Sequence, residues 1–212
     1  VTPVVAQADV VVIGGGPGGF AAALRAARMG VSVILIERFD MPGGVHTSGL
    51  QGSAGRGVGG IHTELMQRFA EEGCIYTATE KTLPEWAGNP IAHYEWYLKP
   101  GSPFARSSFN PDAAGCVMVR MLEEAGVKTF YGTAFADVVV SGNDERASIT
   151  EVIVENASGR QAIRGKVFIE GTGTAEVVAR AGAPFVRGGG RQPKTVASET
   201  SAPIPGGLLW IM

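Results

Sequence analysis

The sequence predicts an α/β fold with a parallel sheet, and three segments near the start of the chain carry that prediction. Residues 9–13 (DVVVI) and 32–37 (SVILIE) are short, β-branched, apolar runs, which are typical of strands buried on both faces. Between them, a glycine-rich turn at 14–19 leads into an alanine-rich helix at 20–29. A strand, a tight turn, a helix and a second strand form a βαβ unit, whose two strands run parallel.

Hydrophobic patterns further along the chain predict two more helices and several more strands. The helix at 61–72 would present Ile61, Leu65, Met66 and Phe69 on one face. The other predicted elements are a helix at 111–125, strands at 127–131, 135–141 and 149–156, a short strand after a turn at 156–159, and a buried strand at 166–170. Short turns separate the later strands, which favours a β-meander beside the parallel sheet.

These segments divide the chain into four parts. We predict that residues 1–73 form the first part of one domain, 74–110 an aromatic-rich excursion, 111–186 the remainder of that domain, and 187–212 the start of another domain or a truncated segment. The last five residues, LLWIM, are apolar, whereas chain ends are usually exposed and polar. We therefore expect the 212 residues to be an incomplete fold, from a larger protein or from one piece of a split protein.

Composition and charge exclude several classes of function. The formal net charge is −2 and there is no basic stripe, so nucleic acid is not an expected partner. No apolar run approaches the roughly 20 residues that a transmembrane helix needs, so no membrane span is predicted. Cys74 and Cys116 show no metal-ligand spacing, so we predict two buried thiols and no metal site. The low cysteine count and the lack of a signal segment favour the cytoplasm.

The turn at 14–19 carries a G-x-G-x-x-G pattern between a predicted strand and a predicted helix, which is the dinucleotide-binding context of a Rossmann-like βαβ unit. The first glycine permits the tight turn, the second lets the backbone approach a pyrophosphate, and the third lets the helix press onto the strands. The helix N-terminus offers free N–H groups and a positive dipole end to phosphates. The site residues predicted here are Gly14, Gly16, Pro17, Gly18 and Gly19.

Glu37, at the end of the second strand, completes this pattern. Its carboxylate can accept hydrogen bonds from the hydroxyl groups of a ribose. A carboxylate at that place disfavours a 2′-phosphate, so FAD or NAD is favoured over NADP. A glycine-rich turn without a ligand is the alternative interpretation.

Four segments of the chain together resemble the FAD-dependent oxidoreductases of the glutathione-reductase superfamily, and most closely the fumarate reductase and succinate dehydrogenase flavoprotein branch. The segments are DVVVIGGGPGGFAAALRAARMGVSVILIE, PGGVHTSGLQG, FNPDAAGCVMVRMLEEAGVKTFYGTAF and GKVFIEGTGTAEVVARAGAPFVRG. The resemblance covers nearly the whole chain except the aromatic part, 74–110. It implies the FAD/NAD(P)-binding fold of that superfamily and FAD as the cofactor.

The resemblance also implies roles for residues outside the glycine-rich turn. Gly43 and Gly44 would let a loop pass close to the FAD pyrophosphate, and Arg38 would pack on the adenosine. The other implied contacts are Thr47, Ser48 and Gly49 near the isoalloxazine edge, the backbone of Phe135 at the adenine, and Thr172 and Gly173 at the pyrophosphate. Two positions depart from the family pattern, since Thr174 stands where an acid is usual and Ala175 where a glycine is usual.

His46 has three interpretations that the sequence leaves open. Its segment, HTSGLQG, resembles the His-Thr-x-x-Ala-Gln-Gly segment of succinate dehydrogenase flavoproteins, in which the histidine is bonded covalently to the flavin. A neutral imidazole is a competent nucleophile, so a covalent bond to FAD is one interpretation. A noncovalent histidine at the flavin and a purely structural histidine are the other two.

The sequence therefore predicts an FAD-dependent oxidoreductase, or its FAD-binding portion, that transfers hydride between a small-molecule substrate and the flavin. The alternatives are a non-catalytic or partner-dependent fragment, which a C-terminal chain or subunit would complete, and an NAD-binding dehydrogenase module. The segment 74–110, with Arg106, is either a candidate substrate pocket or a packed, subunit-contacting excursion. Phe135 equally suits an ordinary core position, and no catalytic acid or base is identified.

Overall fold

Six strands form one sheet in the computed structural model, which describes residues 2–52, 59–75, 109–142 and 147–184. The strands are β1 (Val4–Ile13), β2 (Val33–Ile36), β3 (Lys128–Phe130), β4 (Ala134–Ser141), β5 (Ser148–Asn156) and β6 (Gly159–Glu170). Their order across the sheet is β3-β2-β1-β6-β5-β4. The earliest strand of the chain therefore lies near the centre of the sheet, where neighbours on both sides can bury it.

The sheet has a parallel half and an antiparallel half. β1 pairs in parallel with both β2 and β6, and β2 pairs in parallel with β3. β4, β5 and β6 form an antiparallel meander. The predicted βαβ unit, its parallel strands and the meander are therefore confirmed.

In the described part of the chain, four helices and one 3-10 turn accompany the sheet: α1 (Pro17–Arg28), α2 (Ile61–Glu71), α3 (Pro111–Glu124), α4 (Glu176–Arg180) and the 3-10 turn Gly44–His46. α1 begins earlier than predicted, because Pro17 suits the first helical position, where its missing N–H costs no hydrogen bond. Asn110 caps α3, since its side-chain oxygen accepts the Asp112 N–H at 2.9 Å and the Ala113 N–H at 3.1 Å. α4 was not predicted, because five residues are too few for a helical pattern.

Both faces of β2, and of β1 at residues 11–13, are buried, as predicted. Along β1, Val12 faces a core that α1, α2 and α3 complete, while Val11 and Ile13 face a second core that β5 and β6 help to complete. The predicted apolar face of α2 is confirmed, because all four of its residues belong to or pack against the first core: Ile61, Leu65, Met66 and Phe69. The βαβ unit is thus held between two apolar layers.

The last strand differs from the prediction in length and in burial. A single strand, β6, replaces the predicted short strand and the separate strand at 166–170. The expectation that 166–170 is buried is wrong, since Val167 is 53% exposed. The reason is that β5 pairs with β6 only as far as Arg164, so the end of β6 has β1 as its single strand neighbour among the described residues.

The two cysteines have different environments. Cys74 is buried, as predicted, and burial raises the pKa of its thiol. Cys116 is exposed, so the expectation of two buried thiols is wrong. Its position on α3 lies on the opposite side from the buried Val117 and Met118, which pack in the first core.

The predicted parts of the chain are described to different extents. β1 and β2, from the predicted first part, lie in the same sheet as β3, β4, β5 and β6, from the predicted third part. The predicted parts 74–110 and 187–212 fall outside the described residues, except for residues 74, 75, 109 and 110. Arg106 also lies outside the described residues.

Candidate functional site

A cavity of about 640 Å³ opens at the carboxyl ends of β1, β2 and β6. Ile13 at the end of β1 is flanked in register by Ile36 of β2 and Glu170 of β6. Ligands of parallel α/β sheets bind in the crevice outside such strand ends. The structure brings these predicted site residues to the wall of the cavity: Gly14, Gly16, Pro17, Glu37, Arg38, Gly44, Ser48, Gly49, Phe135, Thr172 and Gly173.

Three glycines meet where β1, α1 and β6 converge at this cavity. Gly14 turns the chain at a φ of +92°, which agrees with the tight turn expected there. A Cβ on Gly19 would lie 1.8 Å from the Gly14 carbonyl oxygen, so only a glycine lets α1 approach β1 this closely. A Cβ on Gly171, a residue that was not predicted, would lie 2.7 Å from the same oxygen.

Gly16 and Gly18 are glycines that no contact within the described residues explains. A Cβ on Gly16 would have one neighbour within 4 Å, the Gly171 carbonyl oxygen at 3.8 Å, and a Cβ on Gly18 would have none. The space above Gly16, which lines the cavity, is therefore open at the N-terminus of α1, where free N–H groups and the helix dipole favour an anion. This open cradle fits the pyrophosphate of a dinucleotide.

Glu37 holds the glycine-rich turn to the end of β2. Its side chain accepts the Gly15 N–H at 2.5 Å through Oε2 and the Phe39 N–H at 2.9 Å through Oε1. The residue is 5% exposed and lines the cavity. Each carboxylate oxygen keeps a further lone pair, so the contacts to the backbone leave acceptor capacity for a ribose hydroxyl.

Gly15 is a site residue that the sequence analysis missed. A Cβ there would lie 3.0 Å from Glu37 Oε2, which is tighter than ordinary van der Waals contact. A glycine at this place lets the Glu37 carboxylate accept the Gly15 N–H. The third consecutive glycine in GGGPGG was the available signal, but the dinucleotide pattern leaves that position unspecified.

The loop that follows β2 is docked onto the glycine-rich turn. The Gly43 N–H donates to the Gly15 carbonyl at 2.8 Å. A Cβ on Gly44 would lie 2.9 Å from the Gly16 Cα. These contacts hold the loop against the glycine-rich turn, beside the open space over Gly16.

The next residues of this loop face in different directions. Thr47 is 1% exposed, donates its hydroxyl to the Pro42 carbonyl at 2.7 Å, and does not line the cavity. Ser48 and Gly49 do line it. The Ser48 Oγ is buried and has no hydrogen-bond partner among the described residues, so it is available to a group bound in the cavity.

His46 lines a second cavity, of about 200 Å³, rather than the first. The walls of this second cavity are almost entirely apolar and come mainly from α1 and α2. The His46 ring lies 6.0 Å from the Phe109 ring in an edge-on arrangement. Pro17 lines both cavities, so they adjoin at the first turn of α1.

The loop between β6 and α4 forms another wall of the first cavity. Glu170 pins this loop, because its carboxylate accepts the Thr172 N–H and the Val177 N–H, both at 2.7 Å. Ala175 has a φ of +57°, a left-handed conformation that favours glycine. This backbone geometry explains why a glycine is usual at that position in the resembled family.

Some predicted site residues do not line the first cavity, and some residues that were not predicted do line it. Gly18, Gly19, Gly43, His46 and Thr47 are predicted site residues that do not line the first cavity. Phe135 lines it and also packs against the second core, so the two interpretations of this residue are compatible. The lining residues that the sequence analysis missed include Phe39, Thr133, Ala134, Gly171, Thr174 and Glu176.

Two features are absent from residues 2–52, 59–75, 109–142 and 147–184. No helix in these ranges is long and apolar enough to cross a membrane. No group of three or more His, Cys, Asp or Glu side chains in the same ranges is arranged to hold a metal ion.

The cleft, the open cradle over Gly16, and the buried carboxylate of Glu37 define a dinucleotide-binding protein of the Rossmann type. The sequence pattern of the FAD dependent oxidoreductase family matches residues 9–204, so the chain belongs to this family and FAD is its cofactor. The fumarate reductase branch is a finer assignment than this match supports.

Two curated relatives illustrate the likeness. A 3-oxo-5-alpha-steroid 4-dehydrogenase from Comamonas testosteroni is 30% identical over 103 residues, which are 46% of this chain and 19% of the relative. A dihydrolipoyl dehydrogenase from Zymomonas mobilis is 28% identical over 172 residues, which are 78% of this chain and 30% of the relative. The chain therefore matches less than a third of the length of either relative.

The fold has counterparts among solved structures. Thermovibrio ammonificans THI4 superimposes with a TM-score of 0.54 at 20% identity, over 82% of this chain and 61% of the other. At that identity the likeness concerns the fold alone. It agrees with the parallel sheet and the meander described above.

Proposed function

We propose that this chain is the FAD-binding part of an oxidoreductase in which hydride passes between a small-molecule substrate and the flavin. The observation that carries the proposal is the open space over the cavity-lining Gly16, which no contact among the described residues explains. When bound, FAD supplies the redox chemistry, and the protein supplies position, orientation and electrostatics.

The residues of the cleft divide the binding task among them. The N–H groups of the first turn of α1 would hold the pyrophosphate, because they point out of a helix end that carries partial positive charge. Glu37 would accept a hydroxyl of the adenosine ribose, since its carboxylate lines the cavity and keeps free lone pairs. The unpartnered Ser48 hydroxyl would donate to, or accept from, the bound cofactor.

We also propose that the rest of a longer chain or a partner subunit completes the substrate site. The short match to the curated relatives supports this, because substrate-binding parts of such proteins have ample room outside the matched region. Native mass spectrometry of the protein purified from its own cells tests it. A second polypeptide in fixed ratio, or a larger chain containing these residues, supports completion, and a flavin-loaded chain of this mass that turns over substrate alone overturns it.

The fumarate reductase and succinate dehydrogenase branch remains our finer assignment within the family. It is supported by the segments PGGVHTSGLQG and GKVFIEGTGTAEVVARAGAPFVRG, which resemble that branch. The four-part division at 1–73, 74–110, 111–186 and 187–212 and the cytoplasmic location also stay predictions. A non-catalytic fragment that needs its partner for any activity is the second candidate function.

The position of His46 favours its two noncovalent interpretations over a covalent bond to FAD. His46 contributes to the second cavity and not to the one that Gly16 and Glu37 line. The test is to precipitate the purified yellow protein with acid and record visible spectra of the supernatant and the pellet. Flavin in the supernatant supports the noncovalent proposal, whereas flavin that stays with the pellet overturns it.

A further inference from the structure

An ion pair joins two walls of the cofactor cavity. Arg38 Nη2 lies 3.0 Å from Glu176 Oε1, and both residues line the cavity. Arg38 follows β2, whereas Glu176 begins α4 after β6. The two residues are 138 positions apart in the sequence, so this contact exists only because the sheet brings β2 and β6 to either side of β1.

The pair spans the carboxyl end of β1. Ile36 of β2 and Glu170 of β6 flank Ile13 in register, and adjacent strands lie about 5 Å apart, so these two positions are about 10 Å apart. The ion pair therefore bridges two walls of the cavity beyond the end of β1.

The Glu176 side of the pair is held in place by its own loop. Its Oε1 also accepts the Thr174 hydroxyl at 2.9 Å, and that hydroxyl lies 3.1 Å from the hydroxyl of Thr172. Glu170 also holds this loop, because its carboxylate accepts the Thr172 N–H and the Val177 N–H. The position of Glu176 is therefore supported by contacts other than its ion pair with Arg38.

Arg38 and Glu176 are oppositely charged residues of the cavity wall that pair with each other. Among the described lining residues, Arg38 is the one cation, and Glu37 and Glu176 are the two carboxylates. The Arg38 and Glu176 side chains are 48% and 37% exposed, and exposed ion pairs contribute little to folding stability. A role in ligand binding explains the placement of the pair better than a role in stability does.

We propose that Glu176 is a positioning residue that holds Arg38 across the adenosine end of the cleft, so that the ion pair retains bound FAD. The adenosine end is the end at which Glu37 lies, next to Arg38 in the chain. Without the carboxylate of Glu176, the long Arg38 side chain is free to swing into solvent and leave the exit open. This inference rests on the proposed binding of FAD in the cleft.

The test measures how fast FAD leaves the FAD-loaded protein after dilution, by the rise in fluorescence of released flavin. Glu176→Gln removes the charge and keeps the shape, and we expect it to raise the dissociation rate about tenfold, a factor within the usual coupling of contacting residues. Arg38→Met is expected to have the same effect, and the double variant is expected to add little more. Added salt should speed release from the wild type more than from the double variant, which lacks the ion pair.

The matched control is an ion pair that lies outside the cavity. Arg160 and Glu155 form a pair at 2.5 Å with similar exposure, and neither lines the cavity. Glu155→Gln should leave the FAD dissociation rate unchanged. Equal acceleration by Glu155→Gln and Glu176→Gln would overturn the retention role, because it would point to a general effect of charge.

Failure of this inference is distinguishable from failure of the proposed function. Wild-type protein that carries no FAD overturns the proposed function itself. Wild-type protein that holds FAD and releases it no faster after Glu176→Gln and Arg38→Met overturns the retention role alone. If Glu176→Gln does not fold, Arg38→Met carries the test, and Glu176→Asp, which keeps the charge, should release FAD more slowly than Arg38→Met; equal rates in these two variants would overturn the role of the charge.

Discussion

The Gly15 N–H and the Glu37 carboxylate are joined by a hydrogen bond of 2.5 Å between the glycine-rich turn and the end of β2. The other oxygen of the same carboxylate accepts the Phe39 N–H at 2.9 Å. One buried side chain therefore orders two loops of the cofactor cleft at once. Its ionised form has acceptors only, which is what two facing N–H donors require.

Replacing this carboxylate by an amide should be costly. In Glu37→Gln one oxygen becomes an NH₂ group, which must face either the Gly15 N–H or the Phe39 N–H. A buried donor facing a donor costs about 1–3 kcal/mol of unfolding free energy. Urea unfolding of the FAD-free protein measures this cost, with Glu155→Gln on the exposed side of β5 as the control. A stability equal to that of the wild type would contradict the arrangement.

Replacement by alanine should destabilise the protein at Gly19 and leave its stability unchanged at the neighbouring Gly18. A Cβ in Gly19→Ala would lie 1.8 Å from the Gly14 carbonyl oxygen, so we expect a loss of about 3 kcal/mol or more, or no folded protein. Gly18→Ala meets no atom within 4 Å and should fold as the wild type does. Thermal unfolding of both variants checks this, and a stable Gly19→Ala protein would show that α1 packs less closely on β1.

Ala175 is expected to be a strained position. Its φ of +57° is costly for a residue with a Cβ, so Ala175→Gly should raise the unfolding free energy by about 1 kcal/mol. Ala179→Gly, inside α4 with ordinary helical geometry, is the control and should lower it by a similar amount. Denaturant titration separates the two, and a loss of stability in Ala175→Gly would refute the strain.

Tyr131 should titrate at unusually high pH. Burial raises the pKa of this phenol to about 12, because the charged form loses its hydration. The folded-state pKa exceeds the unfolded value of about 10, so the resulting stability is complete below pH 10 and is lost as the pH rises through 12. An ultraviolet titration of phenolate absorbance in wild type and Tyr131→Phe measures it. A Tyr131 transition near pH 10 in the folded protein would contradict the burial.

The βαβ unit and its glycine-rich turn were predictable because short-range patterns define them. The apolar run, the glycines at 14–19 and the acid at Glu37 all lie within one local supersecondary unit. The contact between Arg38 and Glu176 was not predictable in the same way, since it depends on the order of strands in the sheet. The prediction of burial at 166–170 failed for a related reason, because the pairing of β6 with β5 stops at Arg164.

The direction in which His46 points and the place of Glu176 in the cavity wall were equally beyond local patterns. His46 sits in a segment that resembles a flavin-linked one, yet the 3-10 turn Gly44–His46 places it in the wall of the second cavity. The Thr174 hydroxyl donates to the nearby Glu176 carboxylate, so an acidic side chain still lies close to the position at which the resemblance leads one to expect an acid. A side chain's neighbours across the fold decide such details.

Titration of the protein with FAD, followed by quenching of flavin fluorescence, tests the central claim most directly. We expect saturable binding at one FAD per chain in the wild type. In Gly16→Ala the new Cβ would enter the open cradle, where its one protein neighbour within 4 Å is 3.8 Å away, so FAD affinity should fall at least about a hundredfold while the thermal midpoint of the FAD-free protein is unchanged. Wild-type protein that binds no FAD, or a Gly16→Ala variant that binds it equally well, would contradict the assignment of the cleft.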